Sequence, residues 1–198
     1  MSSKGAHVKG TDGSDYKSRQ QVASRYKISA DYKFYLKCVF ILHFAVISFM
    51  WAKVGGEILS KYFGIELETY KKLNMPAAYH WEYVWCLSFV PPVLAIFSFK
   101  KNQINLIRIS YYGTFFVGIL PCMIGLGEQI PEFYSYVVHS DTETPMFKGT
   151  LPMVVIWFIF FIVAVQINGI AMYCSSILLN CWRGKFNTIL TTKKEKST

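Results

Sequence analysis

The residues able to do chemistry in this chain are few, and their spacing does not assemble an active site. His139, Ser140 and Asp141 stand side by side, three residue types of a hydrolase triad. A working triad is brought together by the fold from distant positions, so sequence neighbours carry little weight. There is no Walker loop, no nucleotide-binding glycine fingerprint and no His-Glu-x-x-His helix. Gly10-Thr11-Asp12-Gly13-Ser14-Asp15 offers three ligand-capable side chains to a hard cation, short of the roughly six to eight oxygens that calcium takes. It reads as a solvated turn. No cofactor, metal or nucleic-acid partner is expected, and an enzyme is not expected.

One ionisable side chain does sit where chemistry would be costly. His43 lies inside the apolar run Cys38–Trp51, and an ionisable group within a membrane span is a functional candidate by default. No carboxylate pair accompanies it in the spans to make a proton relay. The expectation is a neutral imidazole hydrogen-bonded to another helix, through Gln166 or Asn168.

These residues depend on the apolar elements that carry them. From Leu151 to Leu179 there is no Lys, Arg, Asp or Glu. As a helix those 29 positions extend ~43 Å at 1.5 Å per residue, and a bilayer core is about 30 Å thick. A chain of 198 residues cannot surround such a helix with a soluble core. Four transmembrane spans are predicted, near 38–58, 83–100, 105–126 and 151–179. The fold class is all-α: a polytopic membrane protein with a disordered cytosolic arm over 1–30, a helical membrane domain over 31–182 and a basic cytosolic tail over 183–198.

The net charge of +9 is a topology signal first. Sixteen of the 21 Lys and Arg fall in the N-terminal stretch, the second-to-third junction and the C-terminal tail; five fall in the other two loops, which also carry eight acids. Positive charge marks the cytosolic side, so both termini are placed in the cytosol. Electrostatic attraction to anionic lipid follows from the same charge. The five cysteines, at 38, 86, 122, 174 and 181, all lie in or beside spans, so the lumenal loops hold no disulfide framework. With the first apolar run starting near Cys38, no cleavable signal peptide is expected and the first span acts as the anchor. Cys181, just past span four, is open to palmitoylation or is a buried thiol.

Between spans one and two, Leu59, Phe63, Leu67 and Tyr70 with intervening charges suggest a short amphipathic helix on the lumenal leaflet. Tyr79, Trp81, Glu82 and Tyr83 read as an interfacial aromatic belt. Pro91-Pro92 and Pro121 are expected to kink spans two and three, which the short junction 98–102 makes an antiparallel hairpin. The loop 127–150, with Phe133, Tyr134, Tyr136, Val137 and Val138, is expected to be interfacial, and Pro152 to be a first-turn residue of span four. Ala164, Asn168, Ala171 and Ser175 line one narrow face of that span, fit for close helix contact or for a dimer. At the end, Lys194 and Lys196 stand fifth and third from the C-terminus, in the form of the dibasic signal by which the COPI coat retrieves membrane proteins to the endoplasmic reticulum.

Read together, the arm Gly10–Asp15, Met75-Pro76 with Tyr79 and Trp81-Glu82-Tyr83, and Leu87-Ser88, Pro91, Ser98-Phe99, Asn102 and Pro121 resemble the Jagunal family. Ala164-Val165-Gln166 and Trp182 fit as well, so the resemblance covers nearly the whole chain. Two departures from the family pattern are Ala77-Ala78, which separates Met-Pro from Tyr where the vertebrate pattern is contiguous, and terminal lysines that are spaced rather than adjacent; the member implied is an insect or other invertebrate one. The resemblance implies a four-span protein of the endoplasmic reticulum membrane with both termini cytosolic. It implies a part in reticulum organisation and early secretory traffic, tied to oocyte growth in insects and neutrophil maturation in vertebrates, and no catalytic residues. Two other roles stand beside it. One is a small-solute or ion transporter subunit, supported by His43, Gln166, Asn168 and the prolines; the other is a cargo adaptor working through the aromatic lumenal surface.

Overall fold

The computed structural model describes residues 14–64, 72, 76–139, 145–147 and 151–183. Four helical spans are long and apolar enough to cross a bilayer: Val22–Phe63, His80–Lys101, Ile104–Val138 and Met153–Trp182. The chain is therefore an all-α polytopic membrane protein. The first span belongs to α1 (Ser14–Phe63). The second comprises α2 (His80–Trp85), a 3-10 turn over Cys86–Phe89 and α3 (Val90–Lys101). The third comprises α4 (Ile104–Gly113), a π turn over Thr114–Ile119 and α5 (Leu120–His139). A two-residue hairpin follows, β1 (Met146–Phe147) paired antiparallel with β2 (Leu151–Pro152), and α6 (Met153–Trp182) is the fourth span.

The central helix is α6, which packs on α1, α4, the π turn and α5. Its Ala164, Asn168, Ala171 and Ser175 are all buried. Small side chains there let neighbouring backbones approach: a Cβ built on Gly118 of the π turn would lie 2.6 Å from Asn168 Oδ1. The core divides into two clusters. Leu36, Phe40, Ala95, Phe99, Ile107 and Leu178 fill one end of the bundle. Ile47, Met50, Val54, Trp81, Trp85, Trp157 and Phe161 fill the other.

Several boundaries differ from those the sequence suggests. Helix α1 begins at Ser14, so residues 14–30, expected as part of a disordered arm, are helical and continuous with the first span. Helix α5 continues to His139, so Phe133, Tyr134, Tyr136, Val137 and Val138 are helical rather than part of a loop. Phe133 stacks on Phe158 of α6 with centroids 4.1 Å apart. Pro152 is the N-cap of α6 rather than a first-turn residue, because Leu151 and Pro152 are held in the hairpin. Leu59 and Phe63 close α1; Leu67 and Tyr70 of the expected amphipathic helix lie outside the described residues, as do Gly10–Gly13, Ser140, Asp141, Lys194 and Lys196.

Helix geometry changes beside Pro91-Pro92 and beside Pro121, in two different ways. Pro91 and Pro92 open α3 directly after the 3-10 turn. Pro121 stands just after the π turn. A proline ring clashes with the carbonyl one turn back and returns no N–H; the wider π turn gives Pro121 room, whereas the turn before Pro91 and Pro92 is the tighter 3-10 form. Asn102 takes the left-handed conformation (φ 49°, ψ 46°) that ends α3, a position that asparagine tolerates better than most residues.

Candidate functional site

Broken helices inside a membrane leave main-chain carbonyls without donors, and each such group costs several kcal/mol in hydrocarbon unless it is satisfied. In transporters such groups coordinate the solute. Here the neighbouring spans close them. The 3-10 turn would draw an N–H for the Ser88 carbonyl from residue 91, and an α-helix would draw it from residue 92; both are proline. His43 Nε2 lies 3.1 Å from that oxygen, with Ser88 Oγ at 3.2 Å. A carbonyl can only accept, so Nε2 carries the proton and the imidazole is its Nε2–H tautomer. Trp51 Nε1 donates to the Cys86 carbonyl at 3.2 Å, Ser110 Oγ to the Pro91 carbonyl at 2.7 Å and Trp85 Nε1 to the Gly118 carbonyl at 3.1 Å.

His43 is thus buried and bonded to span two, not to Gln166 or Asn168 as the sequence suggests. Gln166 is exposed on α6. Asn168 Nδ2 bonds one turn back to the Ala164 carbonyl at 2.8 Å. The three polar groups that could have formed one transport site are not brought together.

At the end of the bundle filled by the tryptophans lies a feature that sequence reasoning missed. Lys53 of α1 and Glu82 of α2 form a bidentate pair, Nζ to each carboxylate oxygen at 2.7 Å. Side-chain exposure is 6% for the lysine and 0% for the glutamate. The Trp157 ring lies 4.6 Å from Nζ and the Tyr79 ring 5.7 Å, so the ammonium also rests on two aromatic faces. Trp81 meets Trp157 edge-on at 5.2 Å and Phe161 at 4.9 Å, closing the site from the α6 side. Glu57, one turn beyond Lys53, accepts the Ala78 N–H and ties down the segment that leads into α2. Trp81 and Glu82 are therefore core residues, not members of an interfacial belt; Tyr83 alone of that triplet is exposed.

Charges taken out of water lose several kcal/mol of hydration each, and the pair regains it only when its geometry is good and both partners are present. This pair meets those terms and is neutral as a unit. Two indole N–H groups, of Trp81 and Trp157, and Gln129 Oε1 are buried without a hydrogen-bond partner. Among the described residues no three His, Cys, Asp or Glu side chains are grouped to hold a metal.

The opposite end is basic. Lys33 Nζ donates to the Phe99 carbonyl at 3.0 Å and to Asn102 Oδ1 at 2.6 Å, placing a cation on the C-terminus of α3, where the helix dipole favours it. The same ammonium lies 5.4 Å from the Trp182 ring. Trp182 Nε1 bonds Ser29 Oγ at 2.9 Å, and Cys181 Sγ bonds the Arg25 carbonyl at 3.3 Å. Cys181 is buried, so of the two readings open to it the described structure places it as an enclosed thiol. Twenty residues of α1 separate Lys33 from Lys53, ~30 Å of helix, the thickness of a bilayer core. The ion pair and the basic cluster therefore lie about one bilayer-core thickness apart along α1, and the part of α1 before Lys33 adds ~28 Å of helix.

The family model described as "Jagunal, ER re-organisation during oogenesis" matches residues 1–186. A protein jagunal homolog of Caenorhabditis elegans is 51% identical over 183 residues, 92% of this chain and 97% of the relative. Protein jagunal homolog 1-B of Danio rerio is 32% identical over 90% of this chain and 92% of its own length. Protein jagunal of Drosophila melanogaster is 29% identical over 93% and 95%. A match over nearly the whole length of chain and relatives alike makes this protein a member of the Jagunal family.

Proposed function

We propose that the protein is a non-catalytic organiser of the endoplasmic reticulum membrane that works in early secretory traffic. In this reading the basic end, with both termini, faces the cytosol and the Lys53–Glu82 end faces the lumen. The C-terminal Lys194 and Lys196 engage the COPI coat, and the helical arm of α1 and the basic tail are the surfaces offered to cytosolic partners.

The observation that carries this reading is the closure of the helix breaks. The carbonyls of Cys86, Ser88, Pro91 and Gly118, at the 3-10 turn, the α3 start and the π turn, each take a side-chain donor from a neighbouring span. The buried Lys53–Glu82 pair is neutralised within the bundle. A conduit of the broken-helix kind needs main-chain carbonyls left open to a path; a scaffold needs rigidity, and this lacing supplies it. The family description favours the same class of role.

The test is depletion of the protein in cells followed by imaging of the reticulum, with selective permeabilisation to locate tags at the two termini. Altered sheet and tubule layout, restored by the wild-type chain, with both tags exposed to the cytosol, is the expected result. A reticulum unchanged by depletion would overturn the proposal.

A further inference from the structure

At the basic end, the loop between the second and third spans and the end of the fourth span enclose an open cavity of roughly 520 Å³, lined by Asn102, Gln103, Ile104, Asn105, Arg108 and Arg183 among others. We infer that this cavity binds the headgroup of an inositol phospholipid, with Arg108 and Arg183 holding the phosphate. This goes beyond the organising role and does not depend on it.

Three observations point to that ligand. First, Arg108 and Arg183 are both exposed, and neither is ion-paired among the described residues. A guanidinium presents a planar fork that matches phosphate oxygens, and two of them on one cavity outmatch a single surface lysine. Second, the position is that of a headgroup. Arg108 is in the first turns of the third span and Arg183 directly follows the fourth, so both stand at span ends, from which an arginine reaches a phospholipid phosphate. Third, the rest of the polar lining is carboxamide: Asn102, Gln103 and Asn105. Carboxamides both donate and accept, which suits the hydroxyls of an inositol ring. Among the described residues no carboxylate lines the cavity to receive the ammonium of an ethanolamine or serine headgroup.

The surrounding structure fixes these groups. Lys33 Nζ bonds Asn102 Oδ1 at 2.6 Å, which turns the Asn102 amide nitrogen away from that contact. Gln103 is the N-cap of α4 and makes no side-chain cap bond, so its amide is uncommitted. The N–H groups of the first α4 turn add donors on the same side; the two guanidiniums and the cavity between them remain the binding elements.

Native mass spectrometry of the full-length protein, with phosphatidylinositol, phosphatidylserine or phosphatidylcholine added to the detergent micelle, tests the site. The wild-type protein is expected to retain one phosphatidylinositol in preference to the other two. R108Q with R183Q should lower that occupancy by at least about tenfold, since two charge-assisted phosphate contacts are lost. K100Q with K101Q removes two charges from the same end outside the cavity and should leave the occupancy unchanged. Thermal unfolding followed by circular dichroism shows whether the variants fold, and R108K alone keeps the charge if R108Q,R183Q does not. Soluble glycerophosphoinositol should displace the lipid, whereas inorganic phosphate at the same concentration should not. Equal retention of phosphatidylserine, equal losses in the two double variants, or competition by phosphate alone would each overturn the assignment.

Discussion

His43 Nε2 sits 3.1 Å from the main-chain oxygen of Ser88, the one carbonyl in span two that Pro91 and Pro92 together deprive of both helical donors. The proline pair and the histidine are 48 and 49 residues apart in sequence and form one device. The prolines break the helix, and the imidazole from span one completes it. An intramembrane histidine is here a structural donor held in one tautomer.

Replacing His43 with alanine should therefore destabilise the bundle by about 1–3 kcal/mol, the cost of a buried acceptor left unmade. Pro92→Ala restores an N–H four residues after Ser88. In that background, His43→Ala should cost markedly less. Unfolding curves in mixed detergent micelles for the four proteins of this double-mutant cycle measure the coupling. Equal costs in both backgrounds would refute the arrangement.

The Lys53–Glu82 pair makes an asymmetric prediction. Glu82→Ala leaves a buried ammonium uncompensated and should cost about 3–5 kcal/mol. Replacing both partners by apolar residues of similar size, Lys53→Met with Glu82→Leu, should recover most of that loss, because desolvation of both charges is removed together. The same unfolding measurement separates the two outcomes.

Two glycines mark close approaches. A Cβ on Gly125 would fall 2.7 Å from the Trp81 ring and 2.9 Å from Phe161. Gly125→Ala should destabilise by about 1–3 kcal/mol through overpacking. Gly127, two residues on, has no neighbour within 4 Å of its Cβ position. Gly127→Ala should be neutral or stabilising by up to about 1 kcal/mol, the helix-propensity difference. Detergent resistance of the two variants gives the comparison directly.

For the tail, Lys194→Ser with Lys196→Ser should release the protein from the reticulum to the Golgi or beyond in cells. Retention of the double variant in the reticulum would assign residence to the spans or to a partner instead of the coat.

The spans were legible because the bilayer imposes length and hydropathy on any chain that crosses it. Leu151–Leu179 could belong to nothing else, and the four helices follow. What lies beyond the hydrocarbon carries no such signature. Residues 14–30 and 127–139 are polar or mixed, and their helicity comes from continuity with a span rather than from an apolar run. The ion pair was hidden for a different reason. Lys53 and Glu82 fall at the edges of their spans, where charges ordinarily face water, and 28 residues lie between them. A signal was present nonetheless: Lys53 lies three residues after Met50, on a helix face that also carries Val46 and Glu57, and Glu82 stands directly after a tryptophan. The narrow face of Ala164, Asn168, Ala171 and Ser175 was readable from spacing alone. His43 was readable as an anomaly, but its partner was not, because a main-chain oxygen made available by prolines in another span leaves no mark at the histidine itself.

The central claim is that the sealed bundle is a scaffold, with its buried charges serving the fold and not a reaction or a transported solute. The most direct test is to replace the endogenous protein in cells by the Lys53→Met, Glu82→Leu variant and image the reticulum. A normal reticulum with the variant at wild-type abundance is the predicted result. A folded, correctly located variant that leaves the reticulum as disturbed as depletion does would contradict it, and would make the Lys53–Glu82 pair the working site.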